Sequence, residues 1–294
     1  MNNPFVSIIV PVYNDPKGIG ACVRALLNQT YPPENYEILV VNNASTDDTA
    51  KVVESFGVTA LSESDIQGSY AARNTGVLHA KGNILAFTDA DCLPVSDWLI
   101  QGVTALERHE ADLLSGHVRF LYSDRRTGAE LWDSITNMQI EENIAERNIT
   151  KTANLFVRKR VFDEIGLFPE ELKSGGDVIW TGRATSKGKK LIYHASAEVA
   201  HPARRIKELF AKQVRVGKGQ PAIWMENGDS ALQVAARILR GLIPIRPRTV
   251  KRILLSKGMR LQRGDVLRTW AAALGCRISG VLGNVAAILK HSAR

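Results

Sequence analysis

The chain has 294 residues, enough for one large domain or for a domain with an appendage. Its apolar fraction of 45% is ordinary for a globular protein with a sizeable core. The three cysteines, Cys22, Cys92 and Cys276, form no CxxC pair, which argues against a disulfide framework and for a reducing compartment. The first residues contain no basic segment, so no signal peptide is predicted.

The net charge of +8 is distributed unevenly along the chain. Residues 1–200 carry 19 Lys and Arg against 26 Asp and Glu, a net charge of −7. Residues 201–294 carry 19 against 4, a net charge of +15. A mildly acidic body with a strongly basic tail predicts that the tail meets phosphates, whether of nucleic acid, of anionic lipid head groups or of a pyrophosphate substrate.

Strand and helix patterns alternate over the first 120 residues, which predicts parallel β-α-β units. Strands are predicted at residues 6–12, 36–41, 58–61, 84–88 and 113–122, and helices at 19–27, 45–56, 71–80 and 98–108. Neither the glycine fingerprint G-x-G-x-x-G nor a Walker A sequence follows the first strand. The pattern therefore indicates a nucleotide-type sheet without either standard phosphate loop.

After residue 122, the sequence pattern of the chain changes twice. Residues 123–150 are polar and helix-prone. Further strands are predicted at 153–157 and 191–193, with a short helix ending at Gly166 and another beginning near Asp177. From about residue 204 onward, basic amphipathic helices are expected.

Two carboxylates, Asp89 and Asp91, directly follow the predicted buried strand 84–88. Ligands of open α/β sheets bind beyond the carboxyl ends of the strands. Mg²⁺ prefers oxygen ligands and is often shared between carboxylates and substrate phosphates. The pair therefore predicts a metal site, although Asp91 could instead cap the helix that begins near Trp98.

Several segments, taken in order, resemble family 2 glycosyltransferases of the GT-A fold. They are residues 6–14, 40–49, 68–76, 87–92, 153–158, 162–168 and 175–177. The resemblance covers about residues 5–202 and implies an α/β fold whose mostly parallel central sheet is flanked by helices. It implies a catalytic domain over residues 1–203, with a donor half of about 1–122 and an acceptor half of about 123–203. Residues 204–294 would form a basic helical extension.

The activity that the resemblance implies is metal-dependent, inverting transfer of a sugar from a nucleotide-diphosphate donor, with a UDP-sugar favoured. The acceptor would be a hydroxyl of a glycan or lipid-linked molecule in bacterial cell-surface polysaccharide synthesis. Mg²⁺ or Mn²⁺ would be held by Asp89 and Asp91. The resemblance offers His201 as a third metal ligand or a diphosphate contact, while a lone His before Pro is equally well a structural residue.

The resemblance also implies a donor site. The nucleotide base would lie against Pro11 and Tyr13 at the end of the first strand. Asp15 would contact base or ribose, or else cap the helix that Pro16 begins. Asn42 stands where the family usually has Asp, which leaves the identity of the base less secure because an amide both accepts and donates.

Two arginines complete the predicted donor contacts. Arg73 would match phosphate or nucleobase oxygens with its paired donors, the alternative being a surface ion pair. Arg204, close to His201, would grip the diphosphate.

Asp177 is predicted to be the general base that deprotonates the acceptor hydroxyl. It follows two glycines, which let the backbone approach closely. Family members often have Glu-Asp here, whereas this chain has Gly176-Asp177. The alternative is an ordinary helix N-cap. Trp180, three residues further on, is expected to pack in the core rather than to line an acceptor site.

The basic tail has apolar residues at helical spacing with Arg and Lys between them, typical of helices that lie in a membrane interface. Residues 270–289 are nearly long enough to span a bilayer, but Arg277 interrupts them. We therefore expect peripheral contact with an anionic membrane and a cytoplasmic protein on the inner face of the cell membrane. The alternative is that these helices cover the catalytic body or form an oligomer contact.

Three other functions compete with this interpretation. A nucleotidyltransferase would need a Gly-rich basic loop after the first strand. A nucleic-acid-binding protein could use the basic tail, but Trp224 and Trp270 are isolated and form no stacking platform, so no nucleic-acid partner is expected. A non-catalytic family member would fit the departures at Asn42 and Gly176.

Overall fold

The computed structural model describes residues 3–226 and 228–292, which form two compact units. The first unit contains residues up to 120 and residues 138–202, and the second contains residues 121–137 and those from 203 onward. Residues 123–137, which the sequence places in the acceptor half, thus belong to the second unit. The functional division into donor and acceptor halves stays a prediction.

An eight-stranded sheet runs through the first unit in the order β3-β2-β1-β4-β7-β6-β8-β5. The strands are β1 Val6–Val12, β2 Tyr36–Asn42, β3 Thr59–Ser62, β4 Ile84–Thr88, β5 Leu93–Pro94, β6 Leu113–Leu121, β7 Asn154–Arg158 and β8 Leu191–Pro202. Strands β1 to β4 are parallel to one another, whereas β7 is antiparallel to β4 and β6, and β5 is antiparallel to β8.

Helices are numbered along the chain. They are α1 Pro16–Leu27, α2 Thr49–Glu54, α3 Ser69–His79, α4 Trp98–Arg108, α5 Gly128–Thr136, α6 Ile140–Arg147, α7 Arg160–Ile165, α8 Gly176–Ser186, α9 Ile206–Glu226, α10 Ala231–Gly241, α11 Pro247–Ser256 and α12 Asp265–Ser292. Helix α5 and helices α9 to α12 lie in the second unit, and the others lie in the first.

Both faces of the central strands are buried. All seven residues of β1 are buried, which explains why the strand is a continuous apolar run rather than an alternating one. Alternate residues contribute to two clusters, with Ile8 and Val10 in one and Ile9 in the other. Trp180 belongs to the second cluster, where it is fully buried and stacks on Phe162 with ring centroids 4.4 Å apart.

The parallel register brings three strand ends to one edge of the sheet. Val12 at the end of β1 pairs with Asn42 at the end of β2, and Ile9 pairs with Phe87 near the end of β4. The loops that carry the predicted donor and metal residues therefore leave the sheet at the same edge.

The second unit is a set of packed helices with an apolar core that includes Leu131, Leu209 and Leu254. Helix α12 packs along α9 and α5. A Cβ at Gly217 or Gly283 would run into backbone of the facing helix, so glycine is what permits this close approach of α9 and α12. By length and composition alone, the segment Asp265–Leu289 of α12 is able to cross a membrane, and 33% of its most apolar window is buried within the protein.

Candidate active site

The loops after β1 and β2 are joined by hydrogen bonds. The backbone N–H of Asn14 donates to Ser45 Oγ at 3.0 Å, and the N–H of Thr46 donates to Asn14 Oδ1 at 2.8 Å. Tyr13 lies on this edge with half of its side chain exposed, while Pro11 is buried at the strand end. A half-exposed aromatic beside a rigid double loop is a suitable border for a planar ligand.

Two predicted donor residues have structural hydrogen bonds in this region. Asp15 caps α1, because its Oδ1 accepts from the N–H of Gly18 at 2.8 Å. Asn42 Oδ1 accepts from the N–H of Ser45 at 3.1 Å. The helix-cap alternative for Asp15 is therefore present, and its contact with base or ribose stays a prediction.

An ion pair between a buried arginine and a partly exposed aspartate lies at the same edge. Arg73 Nη2, on α3, donates to Asp89 Oδ1 at 2.5 Å, and Arg73 Nη1 donates to the carbonyl of Ser69 at 3.2 Å. The Arg73 guanidinium lies over the ring of Tyr70, 5.6 Å from its centroid. The sequence left open that Arg73 forms only a surface ion pair. The structure excludes this alternative, because the Arg73 side chain is buried.

Asp91 and His201 face each other beside this ion pair. His201 Nε2 is 3.5 Å from Asp91 Oδ2, and the ring is fully buried at the end of β8. Its Nδ1 is 2.7 Å from the carbonyl oxygen of Pro202. Because a carbonyl oxygen only accepts, Nδ1 is the donor in this contact, and Nε2 is the ring nitrogen that faces Asp91. A metal-binding imidazole is usually oriented by such a bond at its other nitrogen.

A third potential ligand, Cys92, lies beside this pair. Its Sγ lies within 4.8 Å of the ligand atoms of Asp91 and His201. Burial, followed by the charges of Asp91 and Asp89, raises the pKa of the Cys92 thiol well above its usual value. A protonated thiol is a poor metal ligand, so the carboxylate oxygen of Asp91 and the imidazole nitrogen of His201 are the better donors. This set fits Mg²⁺ or Mn²⁺ better than a thiophilic ion.

Asp177 lies in the first turn of α8, two residues after Gly175, which adopts the left-handed region with φ of 83°. Its Oδ1 accepts from the Tyr70 hydroxyl at 3.0 Å, and its Oδ2 accepts from the N–H of Thr152 at 3.3 Å. The N-cap of α8 is Gly175, but Asp177 Oδ1 also accepts from the backbone N–H of Val178 in the first turn at 2.9 Å. The carboxylate is held by groups from α3, from the segment just before β7 and from the first turn of α8.

Tyr70 is a site residue that the sequence interpretation missed. Burial, followed by the charge of Asp177, raises the pKa of its phenol far above the usual range, so the hydroxyl stays protonated and donates. A Cβ at Gly176 would approach the Tyr70 ring to 2.8 Å, which explains a glycine beside Asp177. The sequence contains one signal for Tyr70. It lies three residues before Arg73, so both side chains are on the same face of α3.

In the described structure, Arg204 contacts Asp133. It lies in the second unit, where its N–H donates to Asp133 Oδ2 at 3.0 Å and its Nη1 is 3.5 Å from the same oxygen. A contact between Arg204 and donor phosphates stays a prediction.

The comparisons with known proteins decide the family. The family model described as "Glycosyl transferase family 2" matches residues 7–166. Glycosyltransferase AglE of Haloferax volcanii is 43% identical to this chain and covers 98% of it, over 97% of the relative's own length. The chain belongs to glycosyl transferase family 2. The predicted glycosyltransferase activity is confirmed.

Solved structures of more distant proteins show the same fold. The mannosyltransferase PcManGT from Pyrobaculum calidifontis, solved with GDP-Man and Mn²⁺, aligns with a TM-score of 0.65 at 21% identity over 97% of this chain and 88% of its own. Residues 1–349 of TarS from S. aureus, solved with UDP-GlcNAc, align with a TM-score of 0.56 at 19% identity over 94% of this chain and 81% of that one. The predicted GT-A fold is confirmed.

Proposed function

We propose that this family 2 glycosyltransferase is a metal-dependent, inverting enzyme that moves a sugar from a nucleotide-diphosphate donor to a hydroxyl of a glycan or lipid-linked acceptor. The observation that carries the proposal is the pairing of Asp91 with His201 beside the Arg73–Asp89 ion pair. A carboxylate and an oriented imidazole next to a buried guanidinium suit a divalent cation together with a diphosphate.

In this proposal Asp91 and His201 hold Mg²⁺ or Mn²⁺, and Asp89 contributes a second carboxylate. When bound, the cation supplies Lewis-acid stabilisation of the diphosphate leaving group. Arg73 orients Asp89 through its 2.5 Å contact and brings a positive charge close to the phosphates. The Mn²⁺ reported with PcManGT supports this assignment.

The proposed donor site uses the double loop at the sheet edge. Tyr13 and Pro11 border the nucleotide base, and Asn42 and Asp15 contact base or ribose. Because Asn42 Oδ1 already accepts from Ser45, its amide N–H groups are the more suitable contact for a base oxygen. A UDP-sugar is favoured, as in the TarS complex, with the GDP-sugar of PcManGT as the competing choice.

Asp177 is proposed to take the proton from the acceptor hydroxyl. Its two oxygens are fixed by Tyr70 and Thr152, so the carboxylate has a defined orientation. A base in fixed geometry accelerates such a step by about 100- to 10,000-fold. Attack by the deprotonated hydroxyl from the face opposite the leaving group inverts the anomeric centre.

The proposed acceptor is part of cell-surface polysaccharide synthesis, carried out at the cytoplasmic face of the membrane. Relatives named as poly(ribitol-phosphate) transferases support a surface-polymer acceptor. Exposed apolar residues recur at three- and four-residue spacing in the second half of α12, at Ile278, Leu282, Val285 and Leu289, and Leu267 is exposed near its start. Peripheral attachment is favoured over a span because Arg277, in the middle of α12, donates to the carbonyls of Arg240 and Gly241.

A thermal-shift panel tests this function. UDP-, GDP- and dTDP-sugars are each added with Mn²⁺, with Mg²⁺ and with EDTA. A donor at a hundred times its dissociation constant stabilises the protein by about 2.7 kcal/mol, which raises the Tm by several degrees. We expect a metal-dependent rise with one nucleotide, lost in Asp91→Ala and kept in the exposed control Asp65→Ala. No rise with any donor at saturation would refute the proposal.

A further inference from the structure

The second unit contains a cavity of about 630 Å³ among α5, α9, α10 and α12. Its volume lies within the range of about 300–1,000 Å³ typical of small-molecule sites. None of the residues proposed above for donor, metal or base lines it. Two tryptophans, Trp132 and Trp224, form part of its wall.

Among the described residues, two buried oxygens at this cavity have no hydrogen-bond donor. Asp133 is 1% exposed; its Oδ2 accepts from Arg204, but its Oδ1 has no hydrogen bond, and the Lys212 ammonium lies 4.0 Å away. Asn284 is 8% exposed and its Oδ1 is also without a hydrogen bond. Buried acceptors without partners are rare because desolvating them is costly. Both residues line the cavity, so a ligand there could supply the missing donors.

The tryptophans restrict the chemistry of that ligand. Trp224 is held at the wall by the Arg237 guanidinium, which lies 5.6 Å from the centroid of its ring and pairs with Asp229 at 2.5 Å. Aromatic rings pack against apolar surface, whereas Asp133 and Asn284 require hydroxyl or N–H donors. A pyranose combines these properties, because its C–H faces are apolar and hydroxyl groups surround its rim.

We propose that this cavity is a saccharide-binding site that holds a sugar ring of the glycan acceptor. That the bound sugar belongs to the acceptor rests on the proposed function. The groups that would recognise the sugar all lie in the second unit. Asp133 and Asn284 accept hydrogen bonds from sugar hydroxyls, Lys212 and Arg240 donate to sugar oxygens, and the tryptophans pack on the ring.

Two glycines provide a matched pair of variants for the test. Gly280 lines the cavity, and a Cβ added there would meet open space, so Gly280→Leu adds a bulky side chain at the cavity wall. Gly219, on α9, also has open space around a new Cβ but does not line the cavity. Both changes replace a glycine inside a helix by a better helix former, so neither is expected to unfold the protein.

The experiment is a saturation-transfer NMR titration of the full chain with glucose, mannose and N-acetylglucosamine. We expect saturable binding of at least one sugar, abolished in Gly280→Leu and kept in Gly219→Leu. Asn284→Ala should weaken it by about fivefold or more, since one hydrogen bond to the ligand is lost, while Ser279→Ala, a buried polar residue of the same helix, should not.

Absence of binding for all three sugars, or equal loss in both glycine variants, would overturn the proposal and leave the cavity to ordered water. The metal-dependent donor shift separates this failure from that of the proposed function. If wild type and Gly280→Leu both show the donor shift but neither binds a sugar, only the saccharide site is wrong. If sugars bind but no donor shift occurs, the proposed donor chemistry is wrong instead.

Discussion

At the scale of single residues, the candidate site depends on how its charged groups are held. Asp177, Arg73 and His201 each have one or more short contacts that fix their orientation. Tyr70 connects two of them, because its hydroxyl binds Asp177 and its ring lies under the Arg73 guanidinium. Fixed polar groups stabilise developing charge without reorganising during the reaction.

Replacing the proposed base separates chemistry from donor binding. Asp177→Asn should lower kcat by about 100- to 10,000-fold, because the amide cannot take up a proton at neutral pH. The donor KM and the metal-dependent thermal shift should stay near the wild-type values. Steady-state kinetics check this, with the exposed Asp163→Asn as the control. A kcat within a few-fold of wild type would exclude Asp177 as the base.

Tyr70→Phe removes the hydroxyl that orients Asp177 and keeps the ring beneath Arg73. Hydrogen bonds to charged groups contribute about 1.5–3 kcal/mol, so we expect kcat to fall by about 10- to 100-fold with an unchanged donor KM. Tyr31→Phe, which removes a buried hydroxyl bonded to the Pro4 carbonyl, is the matched control and should change stability but not kcat. A rise in donor KM with constant kcat would assign Tyr70 to donor binding instead.

The sequence identifies some of these residues and cannot identify others. Asp89, Asp91 and Arg73 lie in short segments whose order along the chain is distinctive. The Tyr70–Asp177 hydrogen bond joins residues 107 positions apart, and no local pattern encodes it. His201 had two equal interpretations in the sequence, and only folding brings it within 3.5 Å of Asp91.

At the scale of secondary-structure elements, the sequence predicts the bounds of a strand correctly where both faces of that strand are buried. The predicted bounds of β1 and β4 agree with the structure, because both strands are short apolar runs buried on both faces. Helix α2 begins at Thr49, not near residue 45, since Asn42 and Asp47 use their side chains to form turns over residues 42–49. Strand β8 is much longer than predicted, because its exposed middle lacks a continuous apolar pattern.

A glycine determines whether β6 can lie beside β8. A Cβ at Gly116 would run into the carbonyl oxygen of Ala197, which is backbone and cannot move aside. We therefore expect Gly116→Ala to destabilise the protein by about 3 kcal/mol or more, in the range of other severe backbone and packing changes. Urea unfolding followed by circular dichroism measures the effect.

The matched control for this change is Gly182→Ala on α8. An added Cβ there meets only Ile149 Cγ2 at 3.4 Å, an ordinary contact. Because alanine is the better helix former by about 1 kcal/mol, this variant should be neutral or slightly more stable. Equal losses in both variants would show that the β6–β8 contact does not limit stability.

At the scale of the whole molecule, the second unit is distinguished by its positive charge and its exposed apolar residues. The segment from residue 201 onward carries the net charge of +15, and its helices expose Leu232, Leu239 and Leu282. Each basic residue near an anionic leaflet contributes about 1 kcal/mol, and each buried leucine adds about 1.5–3 kcal/mol. Together these contributions are large enough to hold a protein at a membrane surface.

Vesicle co-sedimentation tests this attachment. The protein should bind vesicles with anionic lipid more tightly than neutral ones, and added salt should weaken the binding. The double variant Leu239→Gln and Leu282→Gln should reduce binding by about tenfold or more. Leu78→Gln, which alters an exposed leucine of the first unit, should not reduce it. Equal binding to neutral and anionic vesicles would contradict an electrostatic contribution.

The central claim is that Asp91 and His201 bind a divalent cation together with the nucleotide. Electron paramagnetic resonance of Mn²⁺, recorded with the nucleoside diphosphate selected by the thermal-shift panel, tests it most directly. The account predicts that wild type and Cys92→Ala take up Mn²⁺ in the presence of nucleotide, and that Asp91→Ala and His201→Ala do not. Undiminished uptake in both of the latter variants would show that the cation, if required, is held elsewhere.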